Sequence, residues 1–83
     1  MKARVEVKLP RYGTNMEDAI VLQWFKAPGD AVAKGEPLCE VETEKVTATL
    51  EATAAGTLVE IVTEVGSVAE VGAVVCYIEN ESA

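Results

Sequence analysis

The sequence predicts an all-β fold, a flattened barrel or sandwich of two small antiparallel sheets related by a pseudo-twofold axis. Three observations carry this expectation. Apolar residues recur with a period of two, turn-forming residues interrupt the chain at short intervals, and the chain superposes on itself at an offset of 37 positions.

The period of two is read in three runs. Val5, Val7 and Leu9 alternate with charged residues, Ile20, Leu22 and Trp24 form a second series, and Val46, Ala48 and Leu50 a third. Successive side chains of a strand point to opposite faces, so each series marks one inward face, and Trp24 is expected to be structural there. Between the runs stand Pro10, Gly13, Asn15, Pro28-Gly29-Asp30, Gly35-Glu36-Pro37, Ala55-Gly56, Gly66-Ser67 and Gly72. Such residues supply turn conformations and short connections. A single helical turn over Met16 to Ala19 is the most helix the pattern allows.

The offset of 37 superposes Gly29 on Gly66, Gly35 on Gly72, Cys39 on Cys76 and Glu42 on Glu79, with Val41 on Ile78 and Leu22 on Val59 as similar pairs. Two halves built from one strand-turn-strand unit follow. The same offset carries Lys45 onto Lys8. Cys39 and Cys76 become symmetry mates in the core, as buried small hydrophobes. A disulfide between them is possible by count alone.

The 83 residues suffice for one domain, and an apolar content of 49% marks a folded chain. Fourteen acidic residues against seven basic ones leave a net charge of −7 with no basic cluster, which argues against nucleic acid as a partner. The apolar runs are far too short to span a bilayer, so no membrane partner is expected. With no histidine and two separated cysteines, no metal site is expected. The same composition offers no nucleophile and base pair, so no catalytic residue is assigned.

The segment Glu42-Thr43-Glu44-Lys45-Val46-Thr47 lies between two strand patterns, Leu38 to Glu42 and Val46 to Glu51, which leaves room only for a tight hairpin with Glu44 and Lys45 at its centre. A lysine with a reference pKa of about 10.4 is protonated at neutral pH, and the carboxylates of Glu42 and Glu44 favour that form further. Lys45 is therefore suited to be an attachment point activated by another enzyme. On the hexapeptide alone, an ordinary solvated hairpin lysine is the better explanation.

Glu42-Thr43-Glu44-Lys45-Val46 resembles the Glu-Ser/Thr-Asp-Lys-Ala signature of lipoyl domains, with Glu44 in place of the usual Asp and Val46 in place of the usual Ala. The turn glycines Gly29, Gly56 and Gly66 stand 16 residues before, 11 after and 21 after Lys45, as in that family. The resemblance extends through Leu9 to Met16, Trp24 and Pro28 to Val32, and covers about residues 4 to 80. It implies lipoic acid in amide linkage on Lys45, installed by a lipoate-attaching enzyme. It implies a swinging arm that is acylated by a thiamine-diphosphate 2-oxo acid decarboxylase, unloaded by an acyltransferase core and reoxidised by dihydrolipoyl dehydrogenase. The domain itself is then a carrier within a dihydrolipoyllysine acyltransferase chain and not an enzyme. By the same resemblance Tyr12, Asn15 and Met16 form an exposed partner-recognition loop beside the lysine.

Further expectations concern boundaries and context. Residues 1–80 form the carrier domain and 81–83 begin a linker or tail, because the strand pattern fades after Glu79. The setting is the bacterial cytoplasm or the mitochondrial matrix. Gly13-Thr14-Asn15-Met16 leans toward pyruvate-like, branched-chain or acetoin-type substrates over 2-oxoglutarate. The rival readings are a biotinyl carrier domain, whose signature Met-Lys-Met is replaced here by Glu44-Lys45-Val46, a glycine-cleavage carrier, which has extra helical segments, and an unmodified interaction module.

Overall fold

A computed structural model describes residues 2–11, 16–44 and 46–81. Its elements are all strands: β1 (Lys2–Lys8), β2 (Asp18–Trp24), β3 (Ala31–Val32), β4 (Pro37–Glu42), β5 (Thr47–Glu51), β6 (Gly56–Ile61), β7 (Val68–Glu70) and β8 (Val74–Glu81). They form two four-stranded antiparallel sheets, ordered β1-β8-β6-β3 and β5-β4-β2-β7. No ladder joins the sheets among the described residues, so the architecture is the open sandwich and not a closed barrel. The helical turn expected at Met16 to Ala19 is absent, since β2 begins at Asp18. Pairing of β8 with β1 runs through Lys2 and Glu81, past the point where the apolar pattern fades. Ladder hydrogen bonds use backbone groups only, so polar side chains do not end the strand.

The pseudo-twofold is visible strand by strand. Exchanging β1 with β5, β8 with β4, β6 with β2 and β3 with β7 turns one sheet order into the other. The offset of 37 holds from β2 to β4, but the first strand obeys a different one. Val7 pairs with Cys76 as Leu50 pairs with Cys39, so β1 maps onto β5 at an offset of 43. Lys8 is therefore the counterpart of Glu51, and the match of Lys45 with Lys8 is corrected. The longer connection after Leu9 shifts the phase.

The halves are stitched together at their turns. The Gly29 N–H donates to the Leu58 carbonyl and the Leu58 N–H to the Asp30 carbonyl, and the mates repeat this, Gly66 N–H to Val21 and Val21 N–H to Ser67. Both glycines hold a left-handed φ, +99° and +88°, a conformation that side chains oppose. Similarly, Leu9 bonds with Gly72 and Ala73 of the other half, and Ala52 with Gly35 and Glu36. In the turn before β4, Glu36 accepts the Ala33 N–H at 3.0 Å and pairs with Lys26 at 3.3 Å, and these contacts hold its carboxyl below its ordinary value.

The core joins both inner faces: Val7, Leu9, Val21, Leu38, Cys39, Val41, Leu50, Leu58, Val75, Cys76 and Ile78 are almost wholly buried. In β2 the inward residues are Ala19 and Val21, not Ile20 and Leu22. The register of β2 on β4 shifts between Val21 and Gln23, and this bulge turns Leu22 outward and brings Trp24 back against the core. Trp24 is tied there by donation from Nε1 to the Thr63 carbonyl at 2.9 Å. β6 carries the matching shift between Leu58 and Glu60.

Cys39 and Cys76 are both free thiols with no exposed surface. Burial, then the neighbouring Cys76, pushes the Cys39 thiol up to about 12, and burial pushes Cys76 up to about 11. Neither is expected to react with iodoacetamide at pH 8 in the folded chain, and both react once it is unfolded, as mass spectrometry would show. The folded pKa values are raised, so the unfolded chain loses these protons first. The stability they carry is full below about pH 9 and is lost as pH rises through 11 and 12. Urea midpoints between pH 8 and pH 11 test this, and a midpoint that does not fall would contradict it.

Candidate functional site

The strands β4 and β5 run antiparallel to their last pair, Glu42 with Thr47. Beyond it, the Thr43 N–H donates to the Val46 carbonyl at 2.8 Å, closing a turn with two chain positions, 44 and 45, between the clamped residues. The Thr43 side chain adds a second clamp. Its hydroxyl donates to the Val46 carbonyl at 3.1 Å and accepts the Val46 N–H at 3.2 Å. One hydroxyl provides a donor and two acceptor positions, so both bonds coexist.

Lys45, the expected attachment residue, lies outside the described residues, as do Tyr12 and Asn15. The flanks of Lys45 are described. Glu42, Glu44 and Val46 are exposed and Thr43 is partly covered. Val46 belongs to the turn and not to the inward series expected of it, while Leu50 is buried and Ala48 packs against the core as expected. Met16 is corrected from an exposed recognition residue to a core residue, 7% exposed and packed with Ala19 and Val21. A flexible apolar side chain at the entry to a strand fills space under the sheet more favourably than it stands in water.

Two features escaped the sequence reading. The clamp by Thr43 was signalled by its residue type, since threonine hydroxyls bond locally to turn backbone. The other is charge: Lys45 is the last basic residue of the chain, because no Lys or Arg follows it and the preceding one is Lys34. Every other charged side chain after Lys34 is a carboxylate.

Gly56 has a distinct role. A Cβ there would run into the Glu79 carbonyl oxygen and crowd Ile78 on β8. Gly29 and Gly66 face open space and are needed for their φ alone.

Thr43→Val keeps the shape of the side chain and removes both hydroxyl bonds. It is expected to cost about 1 kcal/mol of stability and to slow modification at the turn, with Thr43→Ser restoring both. Thermal melts and the rate of mass gain measure the two effects separately.

A family model described as "Biotin-requiring enzyme", the biotin/lipoyl domain, matches residues 5–78. The lipoamide acyltransferase component of the branched-chain alpha-keto acid dehydrogenase complex of Bacillus subtilis is 37% identical over 78 residues, 94% of this chain and 18% of that protein. The dihydrolipoyllysine-residue succinyltransferase of the 2-oxoglutarate dehydrogenase complex of Bartonella vinsonii is 41% identical over 78 residues, 94% of this chain and 19% of that protein. Among solved structures, the lipoyl domain of the 2-oxoglutarate dehydrogenase complex of Azotobacter vinelandii matches with a TM-score of 0.72 at 30% identity, covering 95% of this chain and 99% of that one. The urea carboxylase of Kluyveromyces lactis matches with a TM-score of 0.76 over 92% of this chain and 6% of that one, but at 21% identity it shows the fold alone. The chain belongs to the biotin/lipoyl domain family. Within that family it is a lipoyl domain, alike over 95% of its length to a solved lipoyl domain. It spans under a fifth of the length of these two curated relatives.

Proposed function

We propose that the chain is the lipoyl carrier of a dihydrolipoyllysine acyltransferase in a 2-oxo acid dehydrogenase complex, with lipoic acid attached to Lys45. The carrying observation is the doubly clamped turn between Thr43 and Val46, whose described flanks stand in solvent. Such a turn fixes the base of a long side chain while leaving its length free to enter another protein's cleft. A lipoyl group in amide linkage supplies a dithiolane that accepts an acyl group together with two electrons. Everything else asked of the chain is mechanical and electrostatic. Thr43 and Val46 hold the base of the arm, and Glu42 and Glu44 surround it with negative charge. Amide formation removes the cation of Lys45 and moves the net charge from −7 to −8, strengthening attraction toward basic clefts. Tethering makes each transfer depend on effective concentration and not on free diffusion.

The partners implied are a lipoate-attaching enzyme, a thiamine-diphosphate decarboxylase, an acyltransferase core and dihydrolipoyl dehydrogenase, in a bacterial cytoplasm or a mitochondrial matrix. The carrier extends through Glu81, the last paired residue of β8, one residue beyond the boundary expected at residue 80, within a longer acyltransferase chain. The relatives include both branched-chain and 2-oxoglutarate proteins at similar identity, so they lend no support to the lean against 2-oxoglutarate. The test is reductive acylation of the lipoylated chain by a panel of 2-oxo acid decarboxylases. One of them is expected to acylate it far faster than free lipoamide, and uniform failure would overturn the proposal.

A further inference from the structure

A shallow, open groove of about 610 Å³ crosses the waist of the sandwich, lined by Trp24, Pro28, Val59, Ile61 and Val65 with Glu60 and Glu64. Trp24 and Ile61 pair with Cys39 and Cys76, several residues along the strands from the clamped turn. The groove straddles the pseudo-twofold axis, because Trp24 is the mate of Ile61 and Pro28 of Val65 at the offset of 37. The bulge of β6, between Leu58 and Glu60, offers Val59 to this region.

Three properties separate this surface from scattered exposed apolar residues. Val65, in the lining, is 59% exposed, so a large apolar side chain of the groove stands in water. The indole is held in place by its bond to the Thr63 carbonyl, so an incoming side chain meets a fixed aromatic wall. The charged residues of the lining are both carboxylates, Glu60 and Glu64, with Arg4 on an exposed contact of 3.5 Å to Glu60.

We infer that this groove is a docking site for a cationic, apolar segment of a partner protein, one that places a leucine-sized side chain against Trp24 and lysine or arginine beside Glu60 and Glu64. Charge complementarity selects this occupant. A second copy of the chain would bring a net charge of −7 and the same carboxylates to the contact, whereas a basic segment neutralises them. A partner held at the waist leaves the 43–46 turn unobstructed, so docking and arm delivery use separate surfaces. The inference is independent of what Lys45 carries.

The test titrates the isotope-labelled chain with a synthetic peptide of two leucines flanked on each side by two lysines, and with its counterpart bearing glutamates in place of the lysines. Amide and indole chemical shifts are recorded at low salt. The basic peptide is expected to move the Trp24 indole, Val59, Ile61 and Val65 and to leave Thr43 and Val46 unmoved, while the acidic one moves nothing. Val65→Lys and Glu64→Lys are each expected to weaken binding about tenfold. Both positions are exposed, and melting curves show whether the variants stay folded. Equal binding of both peptides, shifts spread over the acidic surface without the Trp24 indole, or unchanged affinity in Val65→Lys would overturn the proposal. Concentration-dependent self-association that shifts the Trp24 indole would overturn it too, by assigning the groove to a second copy.

Discussion

Lys45→Arg is expected to fold as the parent does and to gain no mass when produced with a lipoate-attaching enzyme, whereas the parent gains one lipoyl group. Arginine keeps the positive charge in the 43–46 turn, so electrostatic attraction to the modifying enzyme persists. What it loses is an amine that can be deprotonated to attack an activated acyl group, since a guanidinium stays charged. The loss is therefore complete and not partial, and it extends to reductive acylation. Lys8 is the internal control. It is exposed on β1, within a ladder and not in a turn, and Lys8→Arg is expected to leave modification unchanged. An adduct that survives Lys45→Arg would place the arm elsewhere.

The second large effect is structural. Gly56→Ala inserts a methyl group against the Glu79 carbonyl, and backbone in the middle of a paired strand moves aside only by breaking ladder bonds. A cost of about 3 kcal/mol is expected, a large part of the stability of so small a domain. For a chain of this length that lowers the melting temperature by about 10–20 °C. Gly29→Ala offers the contrast. Its Cβ meets nothing within 4 Å, so only the left-handed φ opposes it, at a cost of about 1 kcal/mol. Equal melting temperatures for the two variants would contradict this steric account.

The legible parts of the fold were those that repeat. The paired glycines and cysteines disclosed the offset of 37 because turn geometry and the core centre tolerate few residue types. The first strand escaped, because Val5, Val7 and Leu9 correspond to Ala48, Leu50 and Ala52, which share apolarity and no identity. The inward face of β2 was misread because a bulge at Leu22 reverses the alternation, and a bulge leaves no mark in a run of apolar residues. Met16 was misplaced because one apolar residue among polar neighbours has no period to reveal its direction. The tight turn after Glu42 was legible from the strand patterns on either side of it, while the clamp by Thr43 needed the register of β4 on β5 to be seen. The waist groove joins residues 24–28 to 59–65, and nothing local in either segment announces the other.

The strand order has a consequence for the physical integrity of the carrier. The first half of the chain supplies β1 and β3, which are not neighbours, to one sheet and the adjacent pair β2 and β4 to the other, and the second half does the reverse. Neither half alone holds more than one strand pair. A proteolytic nick in the 43–46 turn would cut the sole covalent link between these interleaved halves, yet the fragments would remain clasped until the whole sandwich opened. Wear at this turn thus leaves a two-piece domain, and its dissociation is unfolding itself.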